Sequence, residues 1–268
     1  MDINNVKLGI IGCGKMASAI TEGVIKNNFL KPENIFVYDI NSDFSKCLAD
    51  KFGFNLTSSI AELLSLTNAI LLAVKPFKFE EVTSEIKNNY NNHLIMSILA
   101  GVKIEKYLSK IENMKIIRIM PNTPALVNMG MSAVCPSENT TEDDINFALE
   151  FMKNCGEVIT SSEDKMDIIT ALSGSGPAYY YKIIELMAMA AHKLGLDYKQ
   201  ALLLSSQTAL GSAKMVIENN FDTNQLIKNV TTPGGCTEVG NNVLNNSDID
   251  KIIDKTIEDT MQKAIDLG

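Results

Sequence analysis

The sequence predicts an α/β protein in which an N-terminal, doubly wound parallel sheet is followed by an all-α C-terminal domain. Three observations carry this prediction. From Val6 to about Ile159, short apolar runs alternate with amphipathic stretches of helical length, the rhythm of a parallel sheet with helices on both faces. Runs such as Ala69-Ile70-Leu71-Leu72-Ala73-Val74 are apolar throughout, as strands buried on both faces require. After Ser161 and Ser162 the strand patterns stop, and helical periodicity rich in Ala, Leu and Met runs to the end.

Taken in order, strands are expected at 7–11, 35–39, 55–57, 69–74, 94–98 and 115–120. Helices are expected between them at 15–27, 42–51, 59–65, 79–88 and 104–111. The domains divide accordingly into residues 1–161 and 162–268. In the second, Pro177 fits the first turn of a helix after Ser173-Gly174-Ser175-Gly176, and Gly195 and Gly211 punctuate the helical pattern beyond it. The stretch Ile184–Leu194 is apolar on nearly every side, which predicts burial in a dimer.

With 268 residues, 46% hydrophobic, the chain has enough apolar material for two cores. A formal charge of −8 and the lack of any Lys/Arg run exclude nucleic acid and anionic membranes as expected partners. No apolar run approaches the ~20 residues of a membrane span, so a cytoplasmic protein is expected. The five cysteines include no CxxC pair, so neither a disulfide framework nor a metal site is expected. The two histidines, His93 and His192, fit surface or boundary positions.

The segment Ile11-Gly12-Cys13-Gly14-Lys15-Met16-Ala17 follows the first strand and opens the first helix. Gly12 permits the tight turn, Gly14 lets the backbone approach a pyrophosphate, and Ala17 lets the helix lie against the strand. The helix start then offers unpaired N–H groups and a positive dipole end. Residues 1–161 therefore read as a Rossmann-type dinucleotide-binding domain. Asp39 ends the second strand, where a carboxylate accepts hydrogen bonds from the adenosine ribose and repels a 2′-phosphate. With Ile40 beside it and no Arg in Ile40-Asn41-Ser42, the pattern points to NADH, and NADPH stays open.

Four further segments resemble the pyrroline-5-carboxylate reductase family, in the expected order over nearly the whole chain. They are Leu72-Ala73-Val74-Lys75-Pro76, Arg118-Ile119-Met120-Pro121-Asn122-Thr123-Pro124, Leu172-Ser173-Gly174-Ser175-Gly176-Pro177-Ala178-Tyr179 and Val230-Thr231-Thr232-Pro233-Gly234-Gly235-Cys236-Thr237. The resemblance implies a Rossmann domain, a helical domain that interleaves with its twin in a homodimer, and assembly into larger rings. It also implies hydride transfer from NADPH or NADH to Δ1-pyrroline-5-carboxylate, giving L-proline. Ala73, Val74, Lys75 and Pro76, with Ile98, Leu99 and Ala100, would line the nicotinamide half of the cofactor cleft. Met120, Pro121 and Asn122 would flank the substrate, with Ser175 nearby. The turn Gly234-Gly235-Cys236-Thr237 would hold its carboxylate. Two positions depart from the family pattern: Lys15 replaces an Asn or Gln, and Ile40 stands where many members carry Arg.

The chemistry asks little of the protein. An imine nitrogen takes a proton from solvent near neutral pH, and the iminium is already electrophilic at the carbon that receives hydride. Orientation in a low-water cleft can then supply most of the rate. In the last motif, Pro233 stiffens the entry, Gly234 and Gly235 are expected to leave their amides open as an anion nest, and Thr237 is expected to hydrogen-bond the imine nitrogen. Lys75 reads as shaping the pocket and Cys236 as a packed small residue. Two alternatives stay open: another two-domain dehydrogenase acting on a hydroxy acid or prephenate, and a dinucleotide-sensing scaffold without turnover.

Overall fold

The computed structural model describes residues 5–268. Eight strands form one sheet among them: β1 (Leu8–Ile11), β2 (Ile35–Tyr38), β3 (Asn55–Leu56), β4 (Ala69–Leu72), β5 (Leu94–Ser97), β6 (Lys115–Met120), β7 (Gly130–Pro136) and β8 (Gly156–Thr160). Their spatial order is β3-β2-β1-β4-β5-β6-β7-β8, so the winding reverses between β1 and β4. The first six strands are parallel and in register, with Ile10 beside Val37 on one side and Leu71 on the other. The connecting helices are α1 (Lys15–Lys26), α2 (Ser42–Phe52), α3 (Ile60–Leu66), α4 (Phe79–Asn89), α5 (Ile104–Leu108) and α6 (Glu142–Lys153).

Alternation along the strands fills both faces. Ala69 and Leu71 of β4 enter a core with Ile20, Val24, Phe147 and Phe151, while Ile70 and Leu72 enter the opposite core with Leu63, Ile86 and Tyr107. This two-sided burial is why these strands read as unbroken apolar runs. Local chemistry sets the helix starts: Asn41 accepts from the Asp43 N–H, Ser59 from that of Glu62, and Thr141 and Asp144 close a reciprocal capping box.

Two strands and a helix lie outside the expected series. β7 runs antiparallel to β6 near the edge of an otherwise parallel sheet among the described residues. The reason is the short connection: a 3-10 turn over Thr123–Val127 and a left-handed Asn128 turn the chain straight back, whereas a parallel return needs a crossover of a dozen or more residues. α6 then supplies such a crossover, and β8 pairs parallel to β7.

The rest is helical: α7 (Met166–Ile169), a π-helical turn over Thr170–Gly174, α8 (Gly176–Lys193), α9 (Tyr198–Glu218), α10 (Thr223–Val230), α11 (Cys236–Asn245) and α12 (Ile249–Leu267). The chain forms two compact units, one running up to Ser175 and including Thr260–Gly268, the other Gly176–Asp259. The sheet ends at Thr160, next to the expected division, but the turns after it stay with the first unit because Glu163 and Ser173 bond to it. Within the second unit the Ser205 hydroxyl donates to the Ile184 carbonyl, fastening α9 to α8 at 3.1 Å. Of the stretch Ile184–Leu194 only Ala188 is buried, while Leu186, Met187 and Leu194 face water. Among the described residues, no helix is long and apolar enough to cross a membrane.

Gly156 shows how tightly β8 lies against β7. Its φ is +145°, and a Cβ there would sit 1.9 Å from the Gly130 carbonyl oxygen. Gly156→Ala is expected to cost ~3 kcal/mol or more, lowering Tm by roughly 10 °C or leaving the protein insoluble. An unfolding midpoint equal to that of the wild type would contradict this packing.

Candidate active site

At the end of β1 the backbone needs a glycine twice, for different reasons. Gly12 has φ +95°, and a Cβ there would meet the Ala73 carbonyl carbon and oxygen at 2.8 Å. The turn is pinned by the Gly12 N–H to the Tyr38 carbonyl at 2.9 Å and the Ala73 N–H to the Ile11 carbonyl at 2.8 Å. Gly14 is the opposite case: nothing lies within 4 Å of the position its Cβ would take. It precedes the first turn of α1, which has no capping side chain and no acidic residue. The fold thus leaves open space above uncapped, positively polarised amides, and a pyrophosphate fits that space.

Asp39 does more than its place in the sequence suggests. Its Oδ2 accepts the Cys13 N–H at 2.7 Å and its Oδ1 the Asn41 N–H at 2.8 Å. It therefore braces the glycine turn against the turn into α2, and a carboxylate keeps further lone pairs beyond these two bonds. Burial, and then the Asp39 charge, push the Cys13 thiol up to about 12. The thiol stays protonated at neutral pH, and Cys13 serves the turn through its backbone.

A cavity of about 300 Å³ opens at this point. Ile11, Gly12, Gly14, Asp39, Ala73, Val74 and Lys75 line it, together with Ile40, Asn41, Phe44, Phe77 and Glu81. Ile40, Phe44 and Phe77 are exposed apolar walls suited to a flat ring. The two aromatics escaped the sequence reading, although each stands just past the carboxyl end of a strand, where ligands bind in such sheets. Lys15 and Met16 open α1, Ala17 is buried under it, and Pro76 starts the 3-10 turn Pro76–Lys78. Ile98, Leu99 and Ala100 follow β5 on the neighbouring strand and do not line this cavity; Leu99 is buried and Ala100 exposed.

Met120, Pro121 and Asn122 are buried where β6 ends. The Asn122 amide is occupied at both ends: Oδ1 accepts the Met131 N–H at 2.9 Å, and Nδ2 donates to the Ser173 carbonyl and hydroxyl at 3.3 and 3.4 Å. Asn122 thus clamps the π-helical turn that leads into Ser175, whose own N–H closes that turn on the Thr170 carbonyl.

The Thr232–Thr237 turn, in the other unit, corrects one expectation. The amides of Gly234 and Gly235 are not open: Gly234 donates to the Glu238 carboxylate at 2.8 Å and Gly235 to the Thr232 carbonyl at 2.9 Å. The physical reason is that the proline turn closes on itself and Glu238, in the first turn of α11, folds back over it. The anion-binding potential moves one residue on, to the first-turn amides of Cys236 and Thr237, since α11 has no capping side chain. Cys236 and Thr237 are both exposed.

His93 is buried, which corrects its expected surface or boundary position. Its Nδ1 accepts the Asn91 N–H at 3.0 Å and its Nε2 donates to the Leu64 carbonyl at 2.9 Å, so both ring nitrogens are taken up by backbone groups. His192 is exposed and bonds the Leu196 carbonyl.

A glycine turn at the reversal point of a largely parallel sheet, followed by a helical unit, defines a two-domain dinucleotide-binding oxidoreductase. Residues 163–267 match the family model described as pyrroline-5-carboxylate reductase dimerisation, and residues 7–101 that described as NADP oxidoreductase, coenzyme F420-dependent. A pyrroline-5-carboxylate reductase of Methanosarcina acetivorans is 36% identical over 99% of both chains. Among solved structures, that of a Coxiella burnetii pyrroline-5-carboxylate reductase superposes with a TM-score of 0.94 at 34% identity, covering 99% of each chain. A Plasmodium falciparum pyrroline carboxylate reductase solved with NADP bound gives 0.88 at 33%, again over 99% of each. This chain belongs to the pyrroline-5-carboxylate reductase family.

The contrast between the two glycines is testable. Gly14→Ala is expected to keep the wild-type Tm and to weaken dinucleotide binding about tenfold or more, the worth of ~1.4 kcal/mol. Calorimetric titration with NADH and NADPH reads this directly. Undiminished affinity would mean that no phosphate comes close to Gly14.

Proposed function

We propose that this chain reduces Δ1-pyrroline-5-carboxylate to L-proline, the last step of proline biosynthesis, with NAD(P)H as reductant. The open space above Gly14, facing an uncapped helix start in a chain similar to these reductases over its whole length, carries the reading. The bound dinucleotide supplies the hydride; the protein supplies position. The first unit grips the pyrophosphate at Gly12–Ala17 and the adenosine ribose at Asp39, and Val74 to Pro76 and Ile98 to Ala100 flank the nicotinamide. Met120, Pro121, Asn122 and Ser175 bound the substrate. The substrate carboxylate is assigned to the Cys236 and Thr237 amides of the second unit, and the Thr237 hydroxyl is the proposed partner of the ring nitrogen. No histidine enters the scheme, because solvent protonates the imine.

We read the dinucleotide as NADH. A 2′-phosphate beside Asp39 would face a carboxylate, and the neighbouring Ile40 offers it no positive charge; of the lysines lining the cavity, Lys78 is paired with Glu81 at 2.6 Å. Helices α8 and α9 leave Leu186, Met187, Leu203 and Leu210 exposed, an apolar surface that a second copy would cover. The protein then acts in the cytoplasm as a homodimer, which rings of dimers would extend.

Incubating the protein with pyrroline-5-carboxylate and each reduced dinucleotide is expected to yield proline; no turnover with either would overturn the reading. Thr237→Ala is expected to lower kcat by about tenfold to a hundredfold, the effect of one lost transition-state hydrogen bond, with dinucleotide affinity unchanged. A wild-type rate would remove Thr237 from the chemistry. Asp39→Ser is expected to lower activity with both dinucleotides, because the brace on Cys13 is lost, and to shift the kcat/KM ratio toward NADPH by about tenfold. An unmoved ratio would leave Asp39 as a brace alone.

A further inference from the structure

Arg118 is among the largest fully buried side chains of the described residues, and the functional reading gives it no task. It lies in β6, 1% exposed, among the apolar side chains of the sheet. Its Nη1 donates to Glu163 Oε1 at 3.1 Å, Asp167 Oδ1 stands 3.8 Å from Nη2, and Nε and Nη2 have no hydrogen-bond partner. Removing a guanidinium from water and leaving part of it unpaired is costly, and a cluster in which Arg118 and both its acidic neighbours were apolar would often cost less. What the charge achieves is seen at its partner.

Glu163 Oε1 also accepts the Ile104 N–H at 2.8 Å, from a residue 59 positions earlier in the chain. Ile104 opens α5, whose own N-cap, Lys103, provides no side-chain bond. Glu163 is therefore the cap of α5, supplied from a distance, and Arg118 fixes the oxygen that does the capping. The segment so held is the connection from β5, residues 98–103. Its other end is also tied by buried polar groups: Ser97 Oγ accepts the Leu99 N–H at 3.3 Å and pairs with the Tyr107 hydroxyl at 2.5 Å. Four residues after Arg118, Asn122 holds Ser173. The stretch from Arg118 in β6 to Asn122 just past its end thus anchors both the loop assigned to the nicotinamide and the turn leading to Ser175.

We propose that Arg118 and Glu163 are a positioning pair for hydride transfer, fixing the 98–103 loop relative to the Ser175 turn by capping α5 from outside. The proposal rests on the reductase reading. Neither residue touches the reactants; both act through the backbone that does. Misplacement of the reacting atoms by about 1 Å costs on the order of a hundredfold in rate, so loosening this loop is expected to tell on kcat.

Because Arg118→Met would strand Glu163 and Asp167 and so endanger folding, the test uses Glu163→Ala and Glu163→Gln in the full chain. Glu163→Ala is expected to lower kcat about tenfold or more, to leave KM for the dinucleotide within about twofold because the adenosine half is gripped elsewhere, and to raise the primary deuterium isotope effect as hydride transfer becomes rate-limiting. Glu163→Gln keeps an acceptor for Ile104 and is expected to restore most of kcat. Amide exchange over residues 98–108 is expected to quicken in Glu163→Ala without any substrate present. Unchanged kcat and isotope effect in Glu163→Ala would overturn the proposal, and so would equal damage in both variants tracking a fall in Tm. A wild type without turnover would defeat the reductase reading itself, and unchanged exchange over 98–108 would separately defeat the capping role.

Discussion

The close passage of β1 and β4 at Gly12 is the contact on which the dinucleotide end depends. A side chain there would strike the Ala73 backbone at 2.8 Å, so the two strands can diverge into their separate loops only past a residue without a Cβ. This places the first turn of α1 above the point where the strand order reverses. Asp39 then locks the arrangement, drawing the Cys13 amide to the end of β2 with a charge-assisted bond worth roughly 1.5–3 kcal/mol. The empty space at Gly14 follows from these two constraints, and ligand binding follows from the space.

The reaction assigned to the molecule explains what the site lacks. A carbonyl reductase needs a group to protonate a developing alkoxide, and three side chains of the first unit that could serve are engaged elsewhere. His93 is sealed between two backbone groups, Tyr107 is buried against Ser97 with its ionisation pushed upward by burial, and Cys13 stays a thiol. An imine requires no such donor. On the proposed reading the protein contributes backbone placement instead, through the Gly12 turn, the Asp39 brace and the Asn122 clamp.

The parts of this structure legible in the sequence are those written in local pattern. β1 and β4 are buried on both faces and so read as continuous apolar runs, and β6 stays legible despite Lys115 and Arg118 because its other four residues are apolar. β7, with its mixture of Gly130, Ser132, Ala133 and Cys135, and the half-exposed edge strand β8 show neither that run nor a clean alternation. The glycine turn was legible because strand, turn and helix start are contiguous. The Asp39 brace joins residues 26 positions apart and the Glu163 cap joins residues 59 apart, and no local pattern reports such pairs. The occupied amides of Gly234 and Gly235 were hidden for a different reason: the first depends on where the Glu238 side chain points, the second on how the proline turn closes on the Thr232 carbonyl.

In a site that works by placement, hydride must pass directly from the dinucleotide to the imine carbon of the substrate. Supplying NADH and NADPH deuterated at nicotinamide C4, with pyrroline-5-carboxylate in ordinary water, follows that transfer atom by atom. Proline carrying one deuterium at C5, located by NMR, is the predicted result. Proline without deuterium at C5, with the label of each C4 epimer retained in the dinucleotide, would contradict direct transfer.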